Sequence, residues 1–380
     1  MKLDVVRLTQ DLIAFPSVSQ VSNAPVTRHL AALLGRLGFE AEEVAYADRA
    51  GIEKLCLVAR LGKGRGGLTL FSHDDVVPAR LEDGWTADPF EGRVSRGRIY
   101  GRGACDMKGP LAATICAASR FRSGDLAAPL FLVITADEEL QARGARQLVT
   151  RSRLFDEAAP GYGVICEPTC LQVVHAHKGA LAITVTSRGR AAHTSTLKGI
   201  SANVKMIPFL AEMKRIYDLV LASPRYRNDL FSPPCSEWSI GINDHNVATN
   251  MTPVRSVCTI SYRPMPGIDA NGLVRRTEAC AARHGLECEV FQVGDPLYTP
   301  ADAPLVRTAL RLAGKRRPRT VPYGTDGMIF VQKMKELVVL GPGDIAQAHT
   351  VDEWISVEAL RRGVDLYSRF IEHVCVCGLP

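Results

Sequence analysis

The sequence predicts an α/β fold with a smaller α+β domain inserted into it. Three observations support this prediction. Apolar runs typical of buried strands alternate with helical segments over residues 1–178. The order then changes to strand–helix–strand–strand–helix–strand over residues 179–293, and the first alternation resumes over residues 294–380. We therefore predict an α/β domain formed by the two outer segments and an inserted domain formed by the middle one.

The first segment supplies helices and strands in turn. Apolar residues at helical spacing predict helices over residues 3–14 and 26–37, which end near Pro16 and at Gly38. Later elements follow in the order strand, strand, helix, strand, helix and strand, at residues 55–59, 68–72, 109–120, 130–134, 145–149 and 164–166. This alternation indicates a sheet that is covered by helices on both faces.

The middle segment has the order of a split, ferredoxin-like arrangement. Its predicted elements are a strand, a helix, two strands, a helix and a strand, at residues 180–186, 202–217, 236–241, 256–262, 271–284 and 286–290. A helix at residues 303–313 and a strand at 337–340 then return the chain to the α/β pattern.

Composition indicates a soluble enzyme of two domains. The chain has 380 residues, of which 46% are hydrophobic, and its net charge of +6 is small and dispersed. The basic run at 315–317 is typical of a solvated loop, so we expect no nucleic-acid partner. No apolar stretch reaches the roughly 20 residues of a membrane helix, and the start shows no signal peptide. We expect a cytoplasmic protein whose 11 cysteines are reduced.

Histidine and acidic residues follow the predicted strands, where ligand sites of α/β sheets gather. His73 and Asp75 face the same side of a strand end, so an imidazole could bind a metal while a carboxylate fixes its tautomer. A solvated surface histidine is the alternative. Asp106 lies in the glycine-rich segment Gly101–Gly109, where its carboxylate could bridge two ions or cap the next helix.

Glu138 and Glu139 follow another apolar strand, and a cation or a proton must relieve their mutual repulsion. One could bind metal while the other takes a proton from water, as amide hydrolysis at neutral pH requires. Favourable acids at a helix N-terminus are the alternative. Glu167 follows a further strand, and His349 lies in a second glycine-containing loop.

Two imidazoles and three carboxylates from these positions can give each of two divalent ions three protein ligands, provided that Asp106 is shared. The five predicted ligands are His73, Asp106, Glu139, Glu167 and His349. Nitrogen and oxygen donors suit zinc, with cobalt or manganese as substitutes.

With these motifs in this order, the sequence resembles the co-catalytic zinc aminoacylase and carboxypeptidase family. That family includes acetylornithine deacetylase, succinyl-diaminopimelate desuccinylase and glutamate carboxypeptidase. The resemblance extends over nearly the whole chain and rests on five motifs: Ser72–Pro78, Trp85 with Pro89 and Phe90, Gly101–Gly109, Thr135–Glu139 with Gly144 and Ala145, and Ala348–His349 with Asp352 and Glu353. It implies a zinc-peptidase-like α/β catalytic domain with an inserted ferredoxin-like domain that serves as a lid and for dimerisation.

The resemblance also implies roles for individual residues. His73, Asp106 and Glu167 would hold one ion. Asp106, Glu139 and His349 would hold the other.

Three further residues would take part in catalysis. Asp75 would orient His73, and Glu138 would pass a proton from water to the leaving amine. His193 of the inserted domain would stabilise the oxyanion, often across a homodimer. The positions that match those holding the substrate's carboxylate are Asn250, Arg263 and Thr325.

The motifs around Cys105, Glu167 and His349 are most similar to those of acetylornithine deacetylases. This implies hydrolysis of N-acetylornithine to ornithine and acetate in arginine biosynthesis. Asp326 stands where such deacetylases more often carry Glu, so a desuccinylase, a metallo-carboxypeptidase or a dipeptidase are the alternatives. A non-enzymatic binding protein of this fold would be expected to have lost Glu138 or a metal ligand, and this sequence retains them all.

Overall fold

The computed structural model describes residues 3–246 and 248–378, which form two compact units. The first unit contains the chain up to Ala176, the segment Tyr298–Arg319 and the chain from Thr325 onward. The second unit contains His177–Leu297 and Thr320–Gly324. The segment predicted as an inserted domain, residues 179–293, falls within the second unit.

Helices and strands alternate along most of the chain. The helices are α1 (Val5–Ile13), α2 (Ala24–Arg36), α3 (Lys108–Ala118), α4 (Arg143–Arg151), α5 (Arg153–Ala158), α6 (Ala202–Ala222), α7 (Asn271–Arg283), α8 (Pro304–Ala313), α9 (Gly327–Phe330) and α10 (Val357–Ile371). The strands are β1 (Glu40–Ala47), β2 (Glu53–Leu61), β3 (Leu68–His73), β4 (Arg93–Ser95), β5 (Arg98–Tyr100), β6 (Leu130–Thr135), β7 (Tyr162–Ile165), β8 (Val174–His177), β9 (Ala180–Arg188), β10 (Ser239–Asn243), β11 (Arg255–Tyr262), β12 (Glu287–Gly294), β13 (Leu297–Tyr298), β14 (Arg319–Val321), β15 (Glu336–Val339) and β16 (Trp354–Ser356).

A large sheet forms the centre of the first unit, with strands in the order β1-β2-β6-β3-β7-β15-β8. Strand β3 pairs in parallel with β6 and β7, and β15 pairs in parallel with β7. Every residue of β3 and β6 is buried, and so is every residue of α3. Strands buried on both faces are typical of α/β folds, so the predicted fold class is confirmed.

Several elements of this unit have no counterpart in the sequence prediction, and β1 and α10 are the longest of them. Strand β1 pairs with β2 at the sheet edge and buries only Val44, so it lacks an apolar pattern. Helix α10 is amphipathic but contains Gly363, a weak helix former. A Cβ atom at Gly363 would lie 2.8 Å from the Pro342 Cγ atom. The glycine is therefore explained by close packing, which the local sequence does not reveal.

The second unit contains an antiparallel sheet in the order β10-β11-β9-β12. Together with α6 and α7 it has the order β-α-β-β-α-β that the sequence predicts. Its separate core includes Ile183, Phe209, Trp238 and Tyr262. Of the helices in the described part of the chain, none is both long and apolar enough to cross a membrane.

Gly67 leads into β3, and we predict that Gly67→Ala destabilises the first unit strongly. Its φ of +73° lies in the left-handed region, and a Cβ atom would be 2.0 Å from the Pro129 main-chain oxygen. Strain and overpacking together should lower the free energy of unfolding by about 2–5 kcal/mol in urea denaturation. Gly84→Ala is the control, because Gly84 has a φ of +99° but nothing within 4 Å of the added atom. Equal effects of the two substitutions would contradict the packing argument.

Candidate metal centre

The parallel strands of the first unit deliver acidic and histidine side chains to one edge of the sheet. His73 ends β3 and stands in register with Thr135, the last residue of β6. Glu139 follows β6 by four residues, and Glu167 follows β7 by two. Because parallel strands end at the same edge, these side chains converge there.

Asp106 and His349 reach the same place from loops. Asp106 lies two residues before α3, and its peptide bond to Met107 is cis. His349 lies between β15 and β16 with a φ of +62°. All five predicted metal ligands are thus brought together by the fold.

Three of these residues, His73, Asp106 and Glu167, form a buried cluster whose possible ligand atoms all lie within 4.8 Å of one another. The His73 Nε2 atom is 3.1 Å from Asp106 Oδ1 and 3.5 Å from Glu167 Oε1. This spacing suits atoms that could converge on one cation.

A second cluster contains Asp106, Glu139 and His349. The His349 Nε2 atom is 2.9 Å from Glu139 Oε1 and 3.5 Å from Asp106 Oδ2. Asp106 therefore directs one oxygen toward each histidine, as a carboxylate shared between two ions would. The His349 side chain is 53% exposed, so this second cluster is open to solvent.

The tautomer of His73 follows from its contacts. Its Nδ1 atom lies 2.9 Å from the Asp75 main-chain oxygen, which can only accept a hydrogen bond. Nδ1 must therefore carry a proton, which leaves Nε2 as the ring atom that could bind a cation in the cluster. The Asp75 carboxylate is farther from Nδ1, at 3.6 Å.

The Asp75 carboxylate makes its closer contacts elsewhere. It accepts hydrogen bonds from the Ser19 hydroxyl at 2.7 Å and from the main-chain N–H groups of Glu138 and Glu139 at 3.1 and 3.4 Å. The carboxylate thus fixes the turn after β6, whereas the main chain of Asp75 orients His73. The sequence predicts that Asp75 orients His73, but it contains no sign of this division of tasks between main chain and carboxylate.

Burial of several acids makes the site electrostatically unfavourable without a cation. Desolvation raises the pKa of Glu167 to about 8 and raises the pKa of Glu138 well above its usual range. Burial also raises the pKa of Asp106, but hydrogen bonds with His349 and His73 outweigh it and hold that pKa low. A set of imidazole nitrogens and crowded carboxylates has the chemistry of a divalent metal site.

A buried glutamate, Glu353, supports the Asp106 loop in a way that the sequence analysis did not foresee. Its carboxylate accepts hydrogen bonds from the main-chain N–H groups of Cys105 at 2.7 Å, Asp106 at 3.0 Å and Gly103 at 3.2 Å. Arg102 Nη1 lies 2.7 Å from the same carboxylate. Glu353 belongs to one of the sequence motifs, but a contact between residues 247 positions apart has no local signal.

The remaining predicted site residues lie in different units. His193, Asn250 and Arg263 belong to the second unit and Thr325 to the first. The segments of His193 and Asn250 are adjacent, because Thr194 N donates to the Asn250 main-chain oxygen at 3.1 Å. The Thr325 hydroxyl accepts from Gly327 N at 3.0 Å, where α9 begins. Their contacts with a substrate stay a prediction.

We predict that Glu353→Gln weakens metal binding by about 10- to 100-fold, because the amide cannot match the carboxylate's charge toward Arg102 and the loop N–H groups. Zinc titration of metal-free protein would measure this change. Glu358→Gln is the control, since Glu358 is exposed in the first turn of α10. Unchanged zinc affinity in Glu353→Gln would show that the Asp106 loop holds its position without this support.

Comparison with known proteins gives a consistent result. Residues 69–373 match the family described as peptidase family M20/M25/M40. The acetylornithine deacetylase of Proteus mirabilis (strain HI4320) is 33% identical to this chain. The alignment is 386 residues long and covers 98% of this chain and 97% of that protein.

Two solved structures share the fold. An M20 family metallo-carboxypeptidase from Sulfolobus solfataricus has a TM-score of 0.78 at 16% identity, covering 97% of this chain and 99% of that one. A dinuclear metal-binding peptidase of the M20 family from Bacillus subtilis has a TM-score of 0.64 at 16% identity, covering 97% of each chain. Since the family match spans most of the sequence and the deacetylase aligns over nearly its full length, this chain belongs to peptidase family M20/M25/M40.

Proposed function

We propose that this protein is a metal-dependent deacetylase that hydrolyses N-acetylornithine to ornithine and acetate. The reaction class rests on one observation: Asp106 directs one carboxylate oxygen toward each of two histidine-containing clusters, and Glu138 directly precedes Glu139 of the second cluster. The substrate is proposed from the relatives, several of which are named acetylornithine deacetylases and align over nearly their whole length.

Two zinc ions, for which cobalt could substitute, are the proposed cofactors. His73, Asp106 and Glu167 would hold one ion, and Asp106, Glu139 and His349 the other. The His73 imidazole, whose Nδ1 donates to a main-chain oxygen, and the crowded carboxylates fit such ions, because Nε2 would supply a lone pair and the carboxylates negative charge. When bound, the ions would polarise the amide carbonyl as Lewis acids and make the attacking water more acidic.

Glu138 is the proposed proton carrier. It directly precedes the ligand Glu139, and its main-chain N–H is held by the Asp75 carboxylate. Adjacent residues in a turn point in different directions, so Glu139 can bind metal while Glu138 faces the water. Glu138 would accept the water's proton and return it to the leaving amine nitrogen as the C–N bond breaks.

Four further residues are proposed to act on the substrate. We propose that His193 donates a hydrogen bond to the oxyanion, and that Asn250, Arg263 and Thr325 hold the substrate's carboxylate. We also propose a cytoplasmic homodimer joined through the second unit. Strand β10 lies at the edge of its sheet with exposed residues, and such an edge can pair with a second copy.

Asp326 favours a second candidate substrate class, other N-acyl amino acids such as succinyl-diaminopimelate. It is buried at the start of α9, and its Oδ2 atom accepts a hydrogen bond from Thr135 at 2.5 Å, at the end of β6. A longer glutamate would not fit this contact unchanged, so the packing at the end of β6 would differ in a relative with Glu at this position.

An assay of the zinc-loaded protein against a substrate panel tests the proposal. We expect N-acetylornithine to give the highest kcat/KM, followed by other acetylated amino acids and then succinyl-diaminopimelate. Higher turnover of the succinyl compound would favour the second candidate. Absence of turnover on the whole panel, with two ions bound per chain, would refute the deacylase assignment.

We predict that Glu138→Ala keeps both ions but lowers kcat by about 10²- to 10⁴-fold, as loss of a general base does. Glu139→Ala should instead lose metal, which elemental analysis after dialysis would detect. Metal loss with partial activity in Glu138→Ala would mean that the roles of the two glutamates are exchanged.

A further inference from the structure

We propose that Lys54 is a positioning residue for the hydrolytic reaction, because it fixes the turn that carries Glu138 and Glu139. This inference rests on the proposed function for what the turn does, but the contacts that support it do not depend on the substrate. Lys54 lies at the second position of β2, away from all the sequence motifs.

The Lys54 side chain is completely buried. Its ammonium donates hydrogen bonds to the main-chain oxygens of Ser19 at 2.6 Å and Val21 at 2.7 Å. It also lies 2.9 Å from Asp137 Oδ1, in a fully buried ion pair. The ammonium group therefore makes two hydrogen bonds and one ion pair, all of them buried. Burial of a charge carries a desolvation penalty in free energy, and an apolar side chain would pack at this strand position without it. The arrangement therefore points to a role other than packing.

The first consequence concerns Asp137, the residue before Glu138. Its φ of +54° lies in the left-handed region, which L residues rarely adopt. Its Oδ2 atom accepts a hydrogen bond from the Tyr46 hydroxyl at 2.9 Å, while Oδ1 faces Lys54. Both carboxylate oxygens are thus held, and this fixes the direction in which the chain leaves β6 toward the two glutamates.

The second consequence concerns Ser19. Its main-chain oxygen is held by Lys54, and its hydroxyl donates to Asp75 Oδ2 at 2.7 Å. The Asp75 carboxylate in turn accepts from the N–H groups of Glu138 and Glu139. Lys54 therefore supports the same turn from two sides.

These contacts form a closed ring. It runs from Lys54 through Ser19 and Asp75 to the Glu138 main chain, and back through Asp137 to Lys54. His73 lies two residues before Asp75, so the ring also relates Glu138 to the first metal cluster. Loss of Lys54 should displace the base relative to the site without removing any group that binds substrate or metal.

The test compares metal-loaded Lys54→Met with the wild type. We expect kcat to fall about 100-fold, because a displacement of about 1 Å at the reacting groups has this effect. KM and the content of two ions per chain should change less than about threefold. Amide hydrogen exchange over residues 136–142 should accelerate at least about tenfold, while exchange over 108–118 in α3 stays unchanged.

Arg60→Met is the matched control. Arg60 lies six residues farther along β2 and is paired with Glu40 and Glu157, so its loss also breaks ion pairs of this strand. It has no contact in the ring, and kcat and exchange at 136–142 should stay at wild-type values. Equal kcat and equal exchange at 136–142 in Lys54→Met and Arg60→Met would overturn the proposal.

Ser19→Ala provides a milder variant if Lys54→Met does not fold. It removes only the hydroxyl that links Lys54's partner to Asp75, and it should reproduce the faster exchange at 136–142 with a smaller loss of kcat. If amide hydrogen exchange at 136–142 were unchanged in Ser19→Ala, the proposed role of the ring of contacts would be overturned. Amide hydrogen exchange needs no substrate. If the wild type were inactive on the whole substrate panel, the proposed function would be refuted, but the exchange rates of the variants would still decide the role of Lys54.

Discussion

Repulsion among carboxylates at one edge of the central sheet is the constraint on which the site depends. Asp106, Glu138 and Glu167 are close enough that burial and neighbouring charge move their pKa values in different directions. Divalent cations would relieve this repulsion, and they require the ligands to be held at fixed positions before binding. This requirement explains why buried charged residues hold the chain segments around the clusters in place.

Support for the ligands comes from charged groups that do not themselves face the clusters. The Glu353 carboxylate accepts hydrogen bonds from three main-chain N–H groups of the Asp106 loop and forms an ion pair with Arg102. Lys54 and Asp137 hold the turn after β6, while Asp75 ties that turn to β3. The Asp106 loop and the turn that carries Glu139 are therefore each fixed by a buried ion pair and a buried carboxylate. Removing one partner would leave an unpaired buried charge, so these supports should be more sensitive to substitution than surface ion pairs.

The two units divide the proposed chemistry between them. The first contains every proposed metal ligand and the base, on a sheet whose parallel strands end together. The second contains His193, Asn250 and Arg263, which are proposed to act on the substrate. The family match begins in β3 and extends past the end of α10, so it includes segments of both units.

The sequence by itself determined the fold class, the order of most elements and the identity of the five candidate ligands. It could do so because strand periodicity is local, because His73, Glu139 and Glu167 stand at or shortly after strand ends, and because Asp106 and His349 lie in glycine-containing loops. Tertiary structure decided which atoms meet: the division of Asp106 between two histidines, the separate tasks of the main chain and carboxylate of Asp75, and the packing of Gly363 in α10. It alone identified Lys54 and Glu353 as supports. Their partners lie 83 and about 250 residues away along the chain, and the burial of a charge depends on contacts that no local pattern contains.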